Sequence, residues 1–126
     1  MKQERNTLLF KVIFIVTALF TTTLFITTLA STARVTGDEI VIIDVRTLDE
    51  WNAGHLATAE HLQLDRVAES IDTVVLNKNQ QVYLYCRSGN RSGQAKIIMD
   101  SLGYTNVTNA GGLDNASELL AIEIVQ

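Results

Sequence analysis

The sequence predicts an α/β fold: a small, mostly parallel sheet with helices on both faces, preceded by an N-terminal hydrophobic segment. Three observations carry this. Residues 40–45 and 82–85 are short, continuous apolar runs, the pattern of strands buried on both faces. Stripes of apolar residues at helical spacing follow each run. Strands that alternate with helices in this way build a parallel sheet with helical crossovers.

The elements follow in order. Lys2, Arg5 and Lys11 precede an uncharged stretch over residues 12–33, which ends in small residues at Ser31-Thr32-Ala33 or Thr28-Leu29-Ala30. A basic start, an apolar stretch and a small-residue exit describe a secretory signal peptide. The stretch is long enough that an uncleaved membrane anchor is the alternative, although six threonines between Thr17 and Thr28 dilute it. At 126 residues there is room for one domain, so the division is 1–33 as signal or anchor and 34–126 as a single domain. If the host is Gram-negative, that domain is exported to the periplasm, either free or anchored to the inner membrane.

Within the domain, residues 40–45 form the first strand. Thr47-Leu48-Asp49-Glu50 has the spacing of a capping box, so a short helix runs to about Ala53 and stops at Gly54. Leu64, Val67, Ala68, Ile71 and Val75 give a second helix, ended by the Asn77-Lys78-Asn79 turn. Residues 82–85 are the next strand. Ala95, Ile98, Met99 and Leu102 place a helix over residues 94–102. A short strand around Val107 and a last helix opened by Asn115 and Glu118 complete the chain.

Between the second strand and its helix lies Cys86-Arg87-Ser88-Gly89-Asn90-Arg91-Ser92-Gly93, which holds the only cysteine. Cysteine reacts as the thiolate, and nearby cations and helix N-termini favour that form. Successive backbone N–H groups in such a loop also make a concave nest for an anion. A lone cysteine is usually a small buried hydrophobe. Arginines at +1 and +5, and glycines that let the backbone curl, argue here for a nucleophile. One cysteine cannot form an internal disulfide, so in an oxidising compartment it is present for reactivity or pairs with another molecule.

The same residues carry a resemblance. Residues 82–93 resemble the active-site loop of rhodanese-like sulfurtransferases, and three further blocks stand in the family's order. These are Ile43-Asp44-Val45-Arg46 with Glu50-Trp51, then Gly54-His55-Leu56, then Leu102-Gly103-Tyr104 with Val107 and Gly111-Gly112-Leu113. The match spans about residues 40–113 and is nearest to small, single-domain, exported members from enteric bacteria. It departs after His55, where the family's proline-containing turn is replaced by Ala57-Thr58-Ala59-Glu60-His61-Leu62-Gln63; the whole chain has no proline.

The resemblance implies that Cys86 attacks the outer sulfur of thiosulfate and carries it as a persulfide to cyanide or a thiol. Arg87, Ser88, Gly89, Asn90 and Arg91 would bind the substrate. The backbone N–H groups of residues 87–91 would face the sulfur, and the Arg91 guanidinium would point back over it. Asp44 and Arg46 read as a supporting carboxylate–guanidinium pair, with Glu50 nearby, and His55 as a hydrogen-bonded structural residue. His61 and Trp51 receive no functional role. No cofactor is expected. No His/Cys/Asp cluster has metal-ligand spacing, and neither GxxxxGK[ST] nor GxGxxG occurs.

Charge narrows the partners. Residues 34–126 hold seven Lys and Arg (ten less Lys2, Arg5 and Lys11) and thirteen Asp and Glu (fourteen less Glu4), a net of about −6. An acidic body argues against nucleic acid as a partner, and membrane contact is expected only through an uncleaved N-terminus. A small anionic donor and a thiol or cyanide acceptor suit the local Arg87/Arg91 focus, with the protein acting as a monomer. Two rivals remain. Rhodanese-fold phosphatases hold one more residue in the loop, whereas four separate Cys86 from Arg91 here. A non-catalytic persulfide carrier or redox-sensing module would need the same nest.

Overall fold

The computed structural model describes residues 39–126; the signal or anchor expected over residues 1–33 lies outside them. Four strands form one sheet in the order β3-β1-β4-β5, all parallel: β1 (Val41–Asp44), β3 (Glu60–His61), β4 (Val82–Cys86) and β5 (Val107–Gly112). Helix α1 (Leu48–Asn52) follows β1. A 3₁₀ turn at Leu64–Arg66 leads into α2 (Val67–Val74). Helix α3 (Asn90–Ser101) follows β4, and α4 (Leu113–Leu120) follows β5. The two-residue strands β2 (His55–Leu56) and β6 (Ile124–Val125) pair antiparallel as a separate ribbon.

Side chains alternate across each strand, so β1 and β4 feed a core on each face. Ile43, Val45, Leu84 and Cys86 pack with Val67, Ile71, Ala95 and Met99 on one side. Ile42 and Tyr85 pack with Leu56, Ala110 and Ala116 on the other. Ile43 and Leu84 are fully buried, and burial of each contributes about 1.5–3 kcal/mol. Truncating either to Ala would cost about 2–5 kcal/mol through the cavity it leaves.

The capping box forms as expected: the Glu50 N–H donates to Thr47 Oγ1, and the Thr47 N–H donates to Glu50 Oε2. The proline-free segment is tied by backbone instead. His61 pairs with Asp44, and the Leu62 and Leu64 N–H groups donate to the Asp44 and Val45 carbonyls.

Three boundaries differ from expectation. Helix α3 starts at Asn90, not Gln94, because Gly89 adopts φ +89° and turns the chain into the helix at once. Leu102, expected on its buried stripe, is an exposed C-cap; Gly103, also at φ +89°, then lets the Tyr104 N–H reach the Met99 carbonyl. Helix α4 starts at Leu113, with Gly112 rather than Asn115 at its cap.

Candidate active site

Cys86 is the last residue of β4, at the carboxyl end of a parallel sheet where ligands of such folds bind. The strand pairing shifts just there: Leu84 faces Asn109, whereas Cys86 faces Gly112, so β5 carries an extra residue. This bulge brings the Gly111-Gly112 corner against the cysteine loop. A Cβ on Gly112 would stand 2.6 Å from the Arg87 carbonyl oxygen, so only glycine fits.

The loop then curls back on the sulfur. The Gly89 N–H donates to Cys86 Sγ at 3.1 Å, and the Ser92 hydroxyl lies 3.5 Å from it. Burial pushes the Cys86 thiol up, but the Ser92 hydroxyl and the N–H groups of Ser92, Ser88 and Gly89 outweigh it and bring the thiol down to about 7. At neutral pH a large share of the sulfur is thiolate. Cys86 and Ser92 are both fully buried.

The two loop arginines behave differently from each other. Arg91 was expected to lie over the sulfur. In the structure it is committed elsewhere: Nη1 and Nη2 donate to Glu50 Oε2 and Oε1, each at 2.7 Å. The Arg91 guanidinium in turn holds the Glu50 carboxyl down at about 2. Arg87 is exposed and, among the described residues, makes no hydrogen bond or ion pair. With Ser88 it lines a cleft of about 320 Å³ bounded by Arg46, Gly112 and the first turn of α4.

Asn90 lies in the first turn of α3 and its carboxamide oxygen accepts from Gln94, so its side chain serves the helix. The donors at the sulfur come from residues 88, 89 and 92 rather than from the whole run 87–91.

The supporting residues stand as a buried frame. Asp44 accepts from the Arg46 backbone N–H at 2.9 Å and from Nη2 at 2.6 Å, and the same Nη2 donates to the Gly54 carbonyl at 2.6 Å. His55 Nδ1 lies 3.0 Å from the Trp51 carbonyl oxygen, and its ring stacks on the indole at 3.5 Å. The His61 ring also stacks on Trp51, at 5.2 Å between ring centroids, and its Nε2 lies 2.9 Å from the Arg46 carbonyl oxygen. Among the described residues, no group of His, Cys, Asp and Glu side chains could hold a metal ion.

Two participants escape the sequence reading. Ser92 was placed merely between loop and helix, and Asn109 was not singled out. Asn109 Oδ1 accepts from the Ser92 hydroxyl at 2.7 Å, while its Nδ2 donates to the Gly89 carbonyl at 2.9 Å. Nothing in composition or periodicity marks Asn109; its position two residues before the paired glycines is the single hint.

Comparison with known proteins agrees with this geometry. The family profile of the Rhodanese-like domain matches residues 30–118. Thiosulfate sulfurtransferase PspE of Escherichia coli is 46% identical over 71 residues, which cover 56% of this chain and 68% of that protein. A putative mitochondrial thiosulfate sulfurtransferase of Schizosaccharomyces pombe is 36% identical over 91 residues, covering 63% of this chain and 64% of that protein. Among solved structures, a rhodanese with anions from E. coli superposes with a TM-score of 0.64 at 40% identity, over 70% of this chain and 99% of that one.

Proposed function

The chain belongs to the rhodanese-like family of sulfurtransferases, and from that premise we propose that it is a thiosulfate:cyanide-type sulfurtransferase acting through a persulfide on Cys86. The observation that carries this reading is a solitary thiol lowered to about 7 beneath a converging set of N–H donors.

The chemistry follows from that arrangement. The Cys86 thiolate attacks the outer sulfur of thiosulfate; a new S–S bond forms as the old one breaks, and sulfite leaves with the electron pair. The terminal sulfur of the resulting persulfide carries the negative charge. Cyanide or a thiolate then takes that sulfur and returns Cys86 to its thiolate form. Splitting the transfer in two replaces one difficult step with two easier ones. Both resting and loaded states are anionic, so a loop lined with N–H donors suits each. Arg87 at the cleft supplies a guanidinium for the sulfonate oxygens, and Arg91 adds a second once it leaves Glu50.

Turnover of thiosulfate and cyanide to thiocyanate tests the reading. Cys86→Ser should abolish it while leaving the fold unchanged by circular dichroism, and retention of a tenth of the wild-type rate would refute the assignment. Hydrolysis of aryl phosphates by the wild type, without sulfur transfer, would favour the phosphatase rival. Loading with sulfur but no turnover would favour the carrier.

We further propose that the domain works in the periplasm, supported by the basic start and uncharged stretch of residues 1–33. N-terminal sequencing of periplasmic protein should begin near Ser31 or Arg34. Full-length protein confined to the membrane fraction would establish the anchored form instead.

A further inference from the structure

Ser92 has one hydroxyl proton and two acceptors, Asn109 Oδ1 at 2.7 Å and Cys86 Sγ at 3.5 Å. The orientation of the Asn109 amide is set by its other bonds. Nδ2 donates to the Gly89 carbonyl at 2.9 Å, and Oδ1 accepts from the Gly111 N–H at 3.0 Å. A flipped amide would set its NH₂ against the Gly111 N–H and its oxygen against the Gly89 carbonyl. Oδ1 therefore faces Ser92 and takes its proton while Cys86 is a neutral thiol.

Ionisation of Cys86 changes the balance. Hydrogen bonds to charged acceptors are roughly twice as strong as neutral ones. Rotation about the Ser92 Cβ–Oγ bond then carries the proton to sulfur, and Oδ1 stays satisfied by Gly111. The surroundings leave room for this amide and little else: a Cβ on Gly93 would come within 3.3 Å of Nδ2, and one on Gly89 within 3.3 Å of the Gly111 Cα.

We propose that Asn109 is the positioning residue for the nucleophile: it clamps the Gly89 carbonyl, so that the Gly89 N–H stays on the sulfur, and holds the Ser92 hydroxyl one rotation away from it. The proposal rests on Cys86 being the reacting sulfur. Asn109 is exposed on β5 and outside both cores, so its loss leaves the packing intact.

The test is the pH dependence of Cys86 alkylation by iodoacetamide, which reads the thiol pKa without any sulfur transfer. Asn109→Ala should raise that pKa by about one unit, since it loosens the Gly89 N–H on the thiolate and this outweighs the Ser92 bond lost from the thiol form. Asn109→Asp should raise it further, because it replaces the Gly89 clamp with a negative charge beside the Ser92 hydroxyl. In a Ser92→Ala background, removing Asn109 should raise the pKa at least as much as in the wild type, because the thiol-form bond that opposes the shift is already gone. In turnover, Asn109→Ala should lower kcat several-fold and leave KM for thiosulfate within about twofold, because it touches no substrate. An unshifted thiol pKa in both Asn109 variants, or an Asn109 effect that vanishes in the Ser92→Ala background, would overturn the proposal. A wild-type protein that takes no sulfur from thiosulfate would refute the functional reading and leave the pKa result standing.

Discussion

Two regions of the site hold an arginine against a carboxylate, and the contrast between them separates scaffold from site. At the end of β1, Asp44 and Arg46 are almost wholly buried, with side-chain exposures of 0% and 7%. Their partners are each other and the backbone of the α1–β2 corner. At the start of α3, Arg91 and Glu50 are each 29% exposed and bridge two elements 41 residues apart. The first pair cannot open without stranding a charge in the core. The second is wet enough to exchange partners, and it stands beside the nucleophile loop. Burial, more than residue type, decides which of the two can respond to a substrate.

Breaking the buried pair should produce the largest effect. Asp44→Ala leaves the Arg46 guanidinium uncompensated and should destabilise the domain by about 3–5 kcal/mol, read as a fall in the urea midpoint at unchanged slope. A loss under 1 kcal/mol would mean that the frame carries little of the fold.

The loop arginines sharpen the comparison at the level of binding. Arg87 has no competing partner among the described residues, whereas Arg91 must leave Glu50 to meet an oxyanion. Arg87→Ala should raise KM for thiosulfate about tenfold and Arg91→Ala about threefold, with smaller effects on transfer from persulfide to a neutral thiol. The reverse ranking would show that the Glu50 pair opens readily.

The smallest effect belongs to Glu50→Gln. Gln still serves the capping box, and a partly exposed pair contributes at most about 1 kcal/mol, so stability at pH 7 should fall by no more than that. That difference should shrink in acid. Because Arg91 holds the Glu50 carboxyl down at about 2, its contribution is fully present above the ordinary carboxylate range. That contribution is lost as pH falls through the range towards 2. Glu50→Gln should lack this part of the acid unfolding curve, and it should lower KM for thiosulfate by freeing Arg91. Superimposable acid curves for the two proteins would contradict the pairing.

The parts legible in the sequence were those written by local rules. The runs around Ile43 and Leu84 became the central parallel strands, and Thr47 to Glu50 became a capping box, because periodicity and capping act over a few residues. The position of the Cys86 loop, between a strand and a helix, was legible for the same reason, with its cations and glycines adjacent to the cysteine. The rest depended on contacts between distant segments. Arg91 meeting Glu50, and Asn109 meeting Ser92, arise only once α1 and β5 have docked beside the loop. The β2–β6 ribbon joins residues nearly 70 apart through two-residue strands too short to show a pattern. Even the start of α3 was misplaced by four residues, since one left-handed glycine can begin a helix without a polar cap.

The central claim is that Cys86 is poised as a thiolate to accept one sulfur atom, and intact mass measurement tests it most directly. After incubation with thiosulfate, the purified protein should gain the mass of a single sulfur, mapped by digestion to the Cys86 peptide. The gain should rise with pH through about 7, following the lowered thiol, and should disappear on addition of cyanide or sulfite. Cys86→Ser should gain nothing. An unmodified wild-type protein, or sulfur uptake with no dependence on Cys86, would contradict the account.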